Sequence, residues 1–320
     1  MIQYQQLIIT ITVSFFITLI LGPLVIPILQ KLKVGQSIRD DGPKSHMSKS
    51  GTPTMGGLIM VGAIVITSMT SGIVNRDLLV ILFSTIAFGA IGLIDDFIKI
   101  VLRRNLGLKA SQKLIGQILI AVAIAIYQSS ASVTGTKILV PFLNYHWDLG
   151  ILYIPYIVFV VVATVNSVNL TDGLDGLASG VTLIVASFFS IVAMNWGYPS
   201  IAVFSGALTG TCLGFLRFNS HPAKVFMGDT GSLALGGAIA TIAILMNLTL
   251  FIPIVGAIYF AETLSVIIQV AFFKLTGKRI FKMSPLHHHY ELKGWKETKI
   301  VAVFWSVTLM FCIIGLLGLR

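Results

Sequence analysis

Apolar runs of about 20 residues recur along the chain, and this repetition constrains the fold more than any other feature. In a helix, a run of about that length matches the roughly 30 Å hydrocarbon core of a bilayer, whereas a barrel strand needs only about half as many residues. Within lipid every backbone N–H and C=O must find a partner inside the protein, so the runs read as helices. The expected fold is all-α: a polytopic integral membrane protein with about ten transmembrane helices. Hydropathy places the spans near residues 7–29, 53–71, 78–98, 113–130, 151–168, 177–194, 199–217, 231–248, 250–272 and 300–319. No repeat, low-complexity tract or linker interrupts them, so residues 1–320 are expected to form a single integral membrane domain.

The net charge of +10 raises the question of nucleic acid, but the basic residues form no patch or arm of the kind such binding uses. They follow topology instead. Of the 22 Lys and Arg, all but Arg76, Lys137 and Arg320 fall in one alternating set of loops, which the positive-inside rule makes cytoplasmic, with both termini outside. MIQYQQLII lacks a basic n-region and a small-residue cleavage site, so the first span is expected to remain in the mature protein. Cys212 and Cys312 lie within apolar runs and offer neither a disulfide framework nor a metal site. Residues 131–150, with strand-like Lys137–Val140 followed by Pro141 and Asn144, are expected to form a small external hairpin.

Five carboxylates, Asp95, Asp96, Asp172, Asp175 and Asp229, stand where apolar runs end. An Asp at the centre of a membrane helix costs roughly 2.5–3.5 kcal/mol on insertion scales, so acids gathered at span mouths point to a polar site at the membrane surface. In the assigned topology all five are cytoplasmic. Asp95 and Asp96 close the third span; adjacent helical residues point about 100° apart, so one can face a ligand while the other caps or orients. A salt bridge from either to Lys99, at i+4 and i+3, is the simpler alternative.

Asn166-Ser-Val-Asn169-Leu-Thr-Asp172-Gly-Leu-Asp175-Gly176 crowds amides and acids into a short turn before a helix whose N-terminus favours anions, so a phosphate-bearing ligand fits there. Ordinary capping is the competing role. Asn219-Ser-His-Pro and Phe226-Met-Gly-Asp229-Thr-Gly lead into another helix, with Asp229 suited to Mg²⁺, which takes one or two carboxylates alongside phosphates and water. Phe226 is placed to stack on a base or simply to anchor at the interface. His287, His288 and His289 lack the i, i+4 spacing of a helical zinc pair, and phosphate contact or orientation of a catalytic group suits them better. In the first cytoplasmic loop, Lys44 or Lys49 is a candidate phosphate ligand, against a merely solvated charge. Glu262, within the ninth span, is expected either to function or to pair locally.

The stretches GTPTMGG, GLIDDFIK, NSVNLTDGLDGLA, FMGDTGSLALGG and PLHHHYELKGWKETKIV, in this order, resemble the phospho-N-acetylmuramoyl-pentapeptide-transferases, a branch of the polyprenyl-phosphate N-acetylhexosamine-1-phosphate transferases. The resemblance covers essentially the whole chain. It implies a multi-pass enzyme of the bacterial plasma membrane with its site facing the cytoplasm. The implied reaction moves phospho-MurNAc-pentapeptide from UDP-MurNAc-pentapeptide to undecaprenyl phosphate with Mg²⁺, giving lipid I and UMP. By the same resemblance Asp229 holds Mg²⁺, Asp95 activates the lipid phosphate or attacks the sugar nucleotide, and Asp96 supports that centre. His287, His288 and His289 contact or orient the diphosphate, while Lys49, Thr54, Asn169, Asp172, Asp175, Asn219 and Phe226 form the uridine and sugar-phosphate pocket. A homodimer is compatible with it. The alternatives are a transferase acting on UDP-GlcNAc and, from another class, a cation-coupled transporter. The latter would be expected to carry midplane acids between repeats, and these acids lie at span ends.

Overall fold

A computed structural model describes residues 2–31, 49, 51–102, 107–131 and 135–319. The elements in order are α1 (Ile2–Lys31), α2 (Gly57–Thr70), α3 (Arg76–Val101), α4 (Ala110–Ala131), β1 (Lys137–Val140), β2 (Tyr145–Asp148), α5 (Tyr153–Thr171), α6 (Leu177–Asn195), α7 (Pro199–Asn219), α8 (Gly228–Leu245), α9 (Ile252–Val255), α10 (Ala257–Thr276), α11 (Leu286–Glu291) and α12 (Glu297–Leu317). Among the described residues nine helices are long and apolar enough to cross a membrane. The chain is an all-α polytopic membrane protein.

Two expected spans differ in detail. The second, α2, has only 14 helical residues, because Pro53 to Gly57 are drawn out against Phe226 and Met227: Phe226 N–H donates to the Pro53 carbonyl at 2.9 Å, and Gly57 N–H donates to that of Met227 at 2.9 Å. The ninth is broken. α9 ends at Gly256, where a Cβ would collide with the Ile252 carbonyl and the Tyr259 ring, and α10 starts afresh. The expected hairpin forms, with β1 antiparallel to β2 and Lys137 opposite Asp148.

α8 is the axis of the bundle and packs on α3, α5 and α2. Lipid tails are as apolar as leucine, so helices in a bilayer associate through close packing, which small residues permit. α8 supplies them: Gly236 lies against the Val165 backbone, Gly237 against the Phe88 ring, and Gly231 against Gly57. The same logic joins α1 to α7, where Gly206, Gly210 and Gly214, one turn apart, face Leu7, Ile11 and Thr18. At the periphery α1, α3 and α4 turn Ile20, Phe83, Ile115 and Leu119 outward, the expected dress of a lipid-facing surface. Cys212 and Cys312 are buried and unbridged.

Candidate functional site

The antiparallel helices bring the C-termini of α3 and α5 and the N-termini of α4 and α8 to one end of the bundle, and the hydrogen bonds between them define a polar centre. Asp229 opens α8, following Gly228 at φ 69°, a left-handed conformation that glycine adopts without strain. A side chain there would also strike Asp96 and Thr54. One Asp229 oxygen accepts from Asn169 Nδ2 at 2.9 Å. The other meets Lys99 Nζ at 3.0 Å and Lys113 Nζ at 2.5 Å. Asp95 stands beside it, its Oδ2 2.6 Å from Lys99 and 3.3 Å from Lys113, while Oδ1 accepts from Leu108 N–H at 2.8 Å.

Asp96 does something else. α8 has no side-chain cap of its own, and Asp96 reaches across from α3 to supply one, accepting from the N–H groups of Asp229 and Thr230 at 3.2 and 2.9 Å and from Thr230 Oγ1 at 2.7 Å. An acid serves well here because the exposed amides of a helix start carry partial positive charge. Asp96 therefore locks the helix that carries Asp229. The salt bridge to Lys99 read as the simpler alternative is present at Asp95, with Asp96 more distant at 3.9 Å, but it joins Lys113 and Asp229 in one network rather than closing off a helix end.

Ligand oxygens of Asp95, Asp96 and Asp229 lie within 4.8 Å of one another. Three carboxylates against two ammoniums leave an excess of negative charge, and hard oxygen donors suit a hard cation. Asp96 spends its oxygens capping the backbone amides of α8, whereas Asp95 and Asp229 each keep one oxygen facing the ammoniums of Lys99 and Lys113, which a cation can displace, so Asp95 and Asp229 are the better donors.

Asp172 faces this centre from the α5–α6 turn. Desolvation, together with the charges of Asp229, Asp96 and Asp175, holds its carboxyl well above the ordinary carboxylate range. A carboxyl with a raised folded-state pKa binds more protons folded than unfolded, so its stabilising contribution is present at low pH and falls as pH rises above about 4. Asp172→Asn should accordingly raise the melting temperature at pH 7–8 in EDTA and flatten its pH dependence. An unchanged melting profile would contradict the crowding.

Asp175 belongs to a second cluster. Its Oδ1 takes Lys49 Nζ at 2.7 Å, and its Oδ2 faces His221 Nδ1 at 3.1 Å and accepts from Ala223 N–H at 3.0 Å. Glu297, at the start of α12, shares Lys49 at 2.6 Å and accepts from Asp175 N–H at 2.7 Å. Asn219 accepts from Gly176 N–H at 3.1 Å and Ser179 Oγ at 2.8 Å, and donates to the Val225 carbonyl at 3.0 Å. The amides of Asp175 and Gly176, just ahead of α6 and expected to be open to a phosphate, are thus already satisfied by Glu297 and Asn219. Phe226 is partly buried and Thr54 buried, on the strand-like contact between the residues leading into α8 and those leading into α2. Lys44 falls outside the described residues.

The histidines separate. His287 is 1 % exposed, its Nδ1 3.2 Å from Glu262 Oε1, so Glu262 pairs locally. The Nε2 side of that ring lies against Gly173 in the α5–α6 turn, which makes His287 a spacer between α10 and the turn rather than a surface contact. His288 Nδ1 sits 2.7 Å from Glu291. His289 Nδ1 accepts from Lys282 N–H at 3.0 Å, and desolvation with Lys293 and Lys282 lowers its pKa, favouring neutral imidazole.

Lys113, Glu297 and His221 received no role from the sequence. Lys113 and Glu297 stand at the starts of apolar runs and His221 just past the end of one, and that position was the available signal.

The glycosyl transferase family 4 model matches residues 78–247, and a phospho-N-acetylmuramoyl-pentapeptide-transferase signature matches residues 49–61, so the matched stretches include both carboxylate clusters apart from Glu297. The phospho-N-acetylmuramoyl-pentapeptide-transferase of Alkaliphilus oremlandii is 68% identical, with 99% of each chain covered. That of Alkaliphilus metalliredigens is 67% identical over the whole of both chains, and that of Clostridioides difficile 52% identical over 99% of each. With a family model spanning more than half of its residues and full-length relatives at this identity, the chain belongs to the phospho-N-acetylmuramoyl-pentapeptide-transferase family.

Proposed function

We propose that this protein transfers phospho-MurNAc-pentapeptide from UDP-MurNAc-pentapeptide to undecaprenyl phosphate, releasing UMP and forming lipid I, at the cytoplasmic face of a bacterial plasma membrane. The meeting of Asp95 and Asp229 with Lys99 and Lys113 carries this reading, in a chain whose full-length relatives bear the transferase's name. The cytoplasmic placement, with both termini outside, rests on the loops at this end holding nearly all the lysines and arginines.

An oxygen of the lipid phosphate forms a bond to the sugar-linked phosphorus of the nucleotide substrate, the bond from that phosphorus to the bridging oxygen breaks, and UMP leaves. Phosphoryl transfer of this kind is mostly positioning and charge stabilisation. Two anionic substrates repel each other in approach, and the ammoniums of Lys99 and Lys113 offset that repulsion. Asp95 orients the lipid phosphate and accepts any proton it carries. Asp229 and Asp95 would hold Mg²⁺, which when bound supplies further charge neutralisation on the diphosphate. Asp96 fixes α8 beneath them. Lys49, Thr54, Asn169, Asp172, Asp175, Asn219 and Phe226 form the nucleotide and sugar-phosphate side, with Phe226 as the base platform, and His288 and His289 approach the diphosphate while His287 sets their position.

Purified protein given UDP-MurNAc-pentapeptide, undecaprenyl phosphate and Mg²⁺ should release UMP, and UDP-GlcNAc in its place should not. Release from UDP-GlcNAc alone would refute the muramoyl assignment.

A further inference from the structure

We infer that Glu297 is a positioning residue for the nucleotide end of the substrate, acting through Lys49 and the turn at Asp175; this rests on the function proposed above. Its carboxylate sits where the amide preceding α6 would otherwise meet an external anion, accepting from Asp175 N–H at 2.7 Å. The same Oε1 holds Lys49 Nζ at 2.6 Å, and Oε2 lies 3.4 Å from His221 Nδ1. One side chain at the foot of α12 thus ties together three segments otherwise distant in sequence: the end of the first cytoplasmic loop, the α5–α6 turn and the turn after α7.

The chemistry asks for this second carboxylate. Lys49 is a flexible ammonium with three donors, and a single acceptor leaves it several geometries. With Asp175 at 2.7 Å and Glu297 at 2.6 Å, and its side chain only 15% exposed, it is held between two fixed points. Asp175 is likewise spent on Lys49, His221 and Ala223. Removing Glu297 strands the Asp175 N–H, for which no other acceptor is in place among the described residues, and lets the ammonium swing onto Asp175. An unsatisfied buried amide is costly enough for the turn to shift instead. Asp229, Lys99 and Lys113 make no contact with Glu297 among those described, so the reaction centre should not feel the change.

The test is steady-state UMP release by full-length wild type, Glu297→Ala and Glu297→Gln, titrating each substrate at saturating levels of the other. In the alanine variant KM for UDP-MurNAc-pentapeptide should rise about tenfold, with kcat and KM for undecaprenyl phosphate within about twofold of wild type. Glutamine keeps an acceptor for the Asp175 amide and should recover part of the loss, and it also serves if the alanine variant folds poorly. Calorimetric affinity for UMP should weaken in parallel. Unchanged nucleotide KM, a fall in kcat alone, or equal rises in both KM values would each overturn the role. If wild type itself releases no UMP, the proposed function has failed, which is distinguishable from a wild-type enzyme indifferent to Glu297.

Discussion

Asp229→Ala should cost on the order of a thousandfold or more in kcat, the scale of losing a preorganised charge at a reaction centre. The expectation follows from how much converges on this one carboxylate: Asn169 on one oxygen, and Lys99 and Lys113 on the other. Without it, the two ammoniums retain, among the described residues, only Asp95 as a close partner and move toward it, and the best pair of hard oxygen donors becomes a single one. The fold should survive, because Asp96 still accepts from the backbone amides at positions 229 and 230, which alanine keeps. UMP release across a range of Mg²⁺ concentrations checks both parts. Full activity at any of them would refute the role, and Asp229→Asn, which keeps the shape but loses the charge, should be nearly as damaging.

Gly92→Val should be strongly disruptive to the packing of α3 on α8. A Cβ at position 92 would fall on the Asp229 carbonyl and the Thr230 nitrogen, which are backbone atoms with no rotamer to yield. α3 and α8 must then separate at the point where Asp96 binds α8, so the same change loosens packing and displaces Asp229. Overpacking typically costs about 1–3 kcal/mol, so a melting temperature several degrees lower is expected in detergent, together with loss of transfer. Gly62→Ala is the control. Its Cβ would meet only Leu21 at 3.6 Å, an ordinary contact, and should leave melting and activity close to wild type. Equal behaviour of the two variants would show that the approach of α3 to α8 is not limiting.

The spans were readable because hydrophobic length alone sets a transmembrane helix, and an error of a few residues does not alter which runs cross. The shortening of α2 was not readable, since it depends on Phe226 and Met227, some 170 residues away, pairing with Pro53 to Gly57. The ninth run breaks at Gly256, where a Cβ would meet the Ile252 carbonyl and the Tyr259 ring, and an isolated glycine in an apolar run does not announce a break.

For the site, motif context picked out the acids but could not sort them. All five carboxylates stand at span ends, yet Asp95, Asp96 and Asp229 gather around Lys99 and Lys113, while Asp175 turns to Lys49 and Glu297. That partition is decided by which cation each acid meets, and the lysines that meet Asp229 and Asp175 lie more than 100 residues away. Asp172, between the two groups, is raised in pKa by both. His287 illustrates the limit from the other side, since three consecutive histidines look alike in sequence but differ in burial, and only the structure puts the first of them against Glu262 and Gly173.

A covalent transfer is expected where α3, α4, α5 and α8 converge. Mass spectrometry of the lipid extract after incubation with UDP-MurNAc-pentapeptide, undecaprenyl phosphate and Mg²⁺ tests it most directly. Undecaprenyl-diphospho-MurNAc-pentapeptide, equimolar with UMP, is expected from wild type and not from Asp229→Ala. UMP appearing without that lipid, or the lipid forming equally well with the variant, would contradict it.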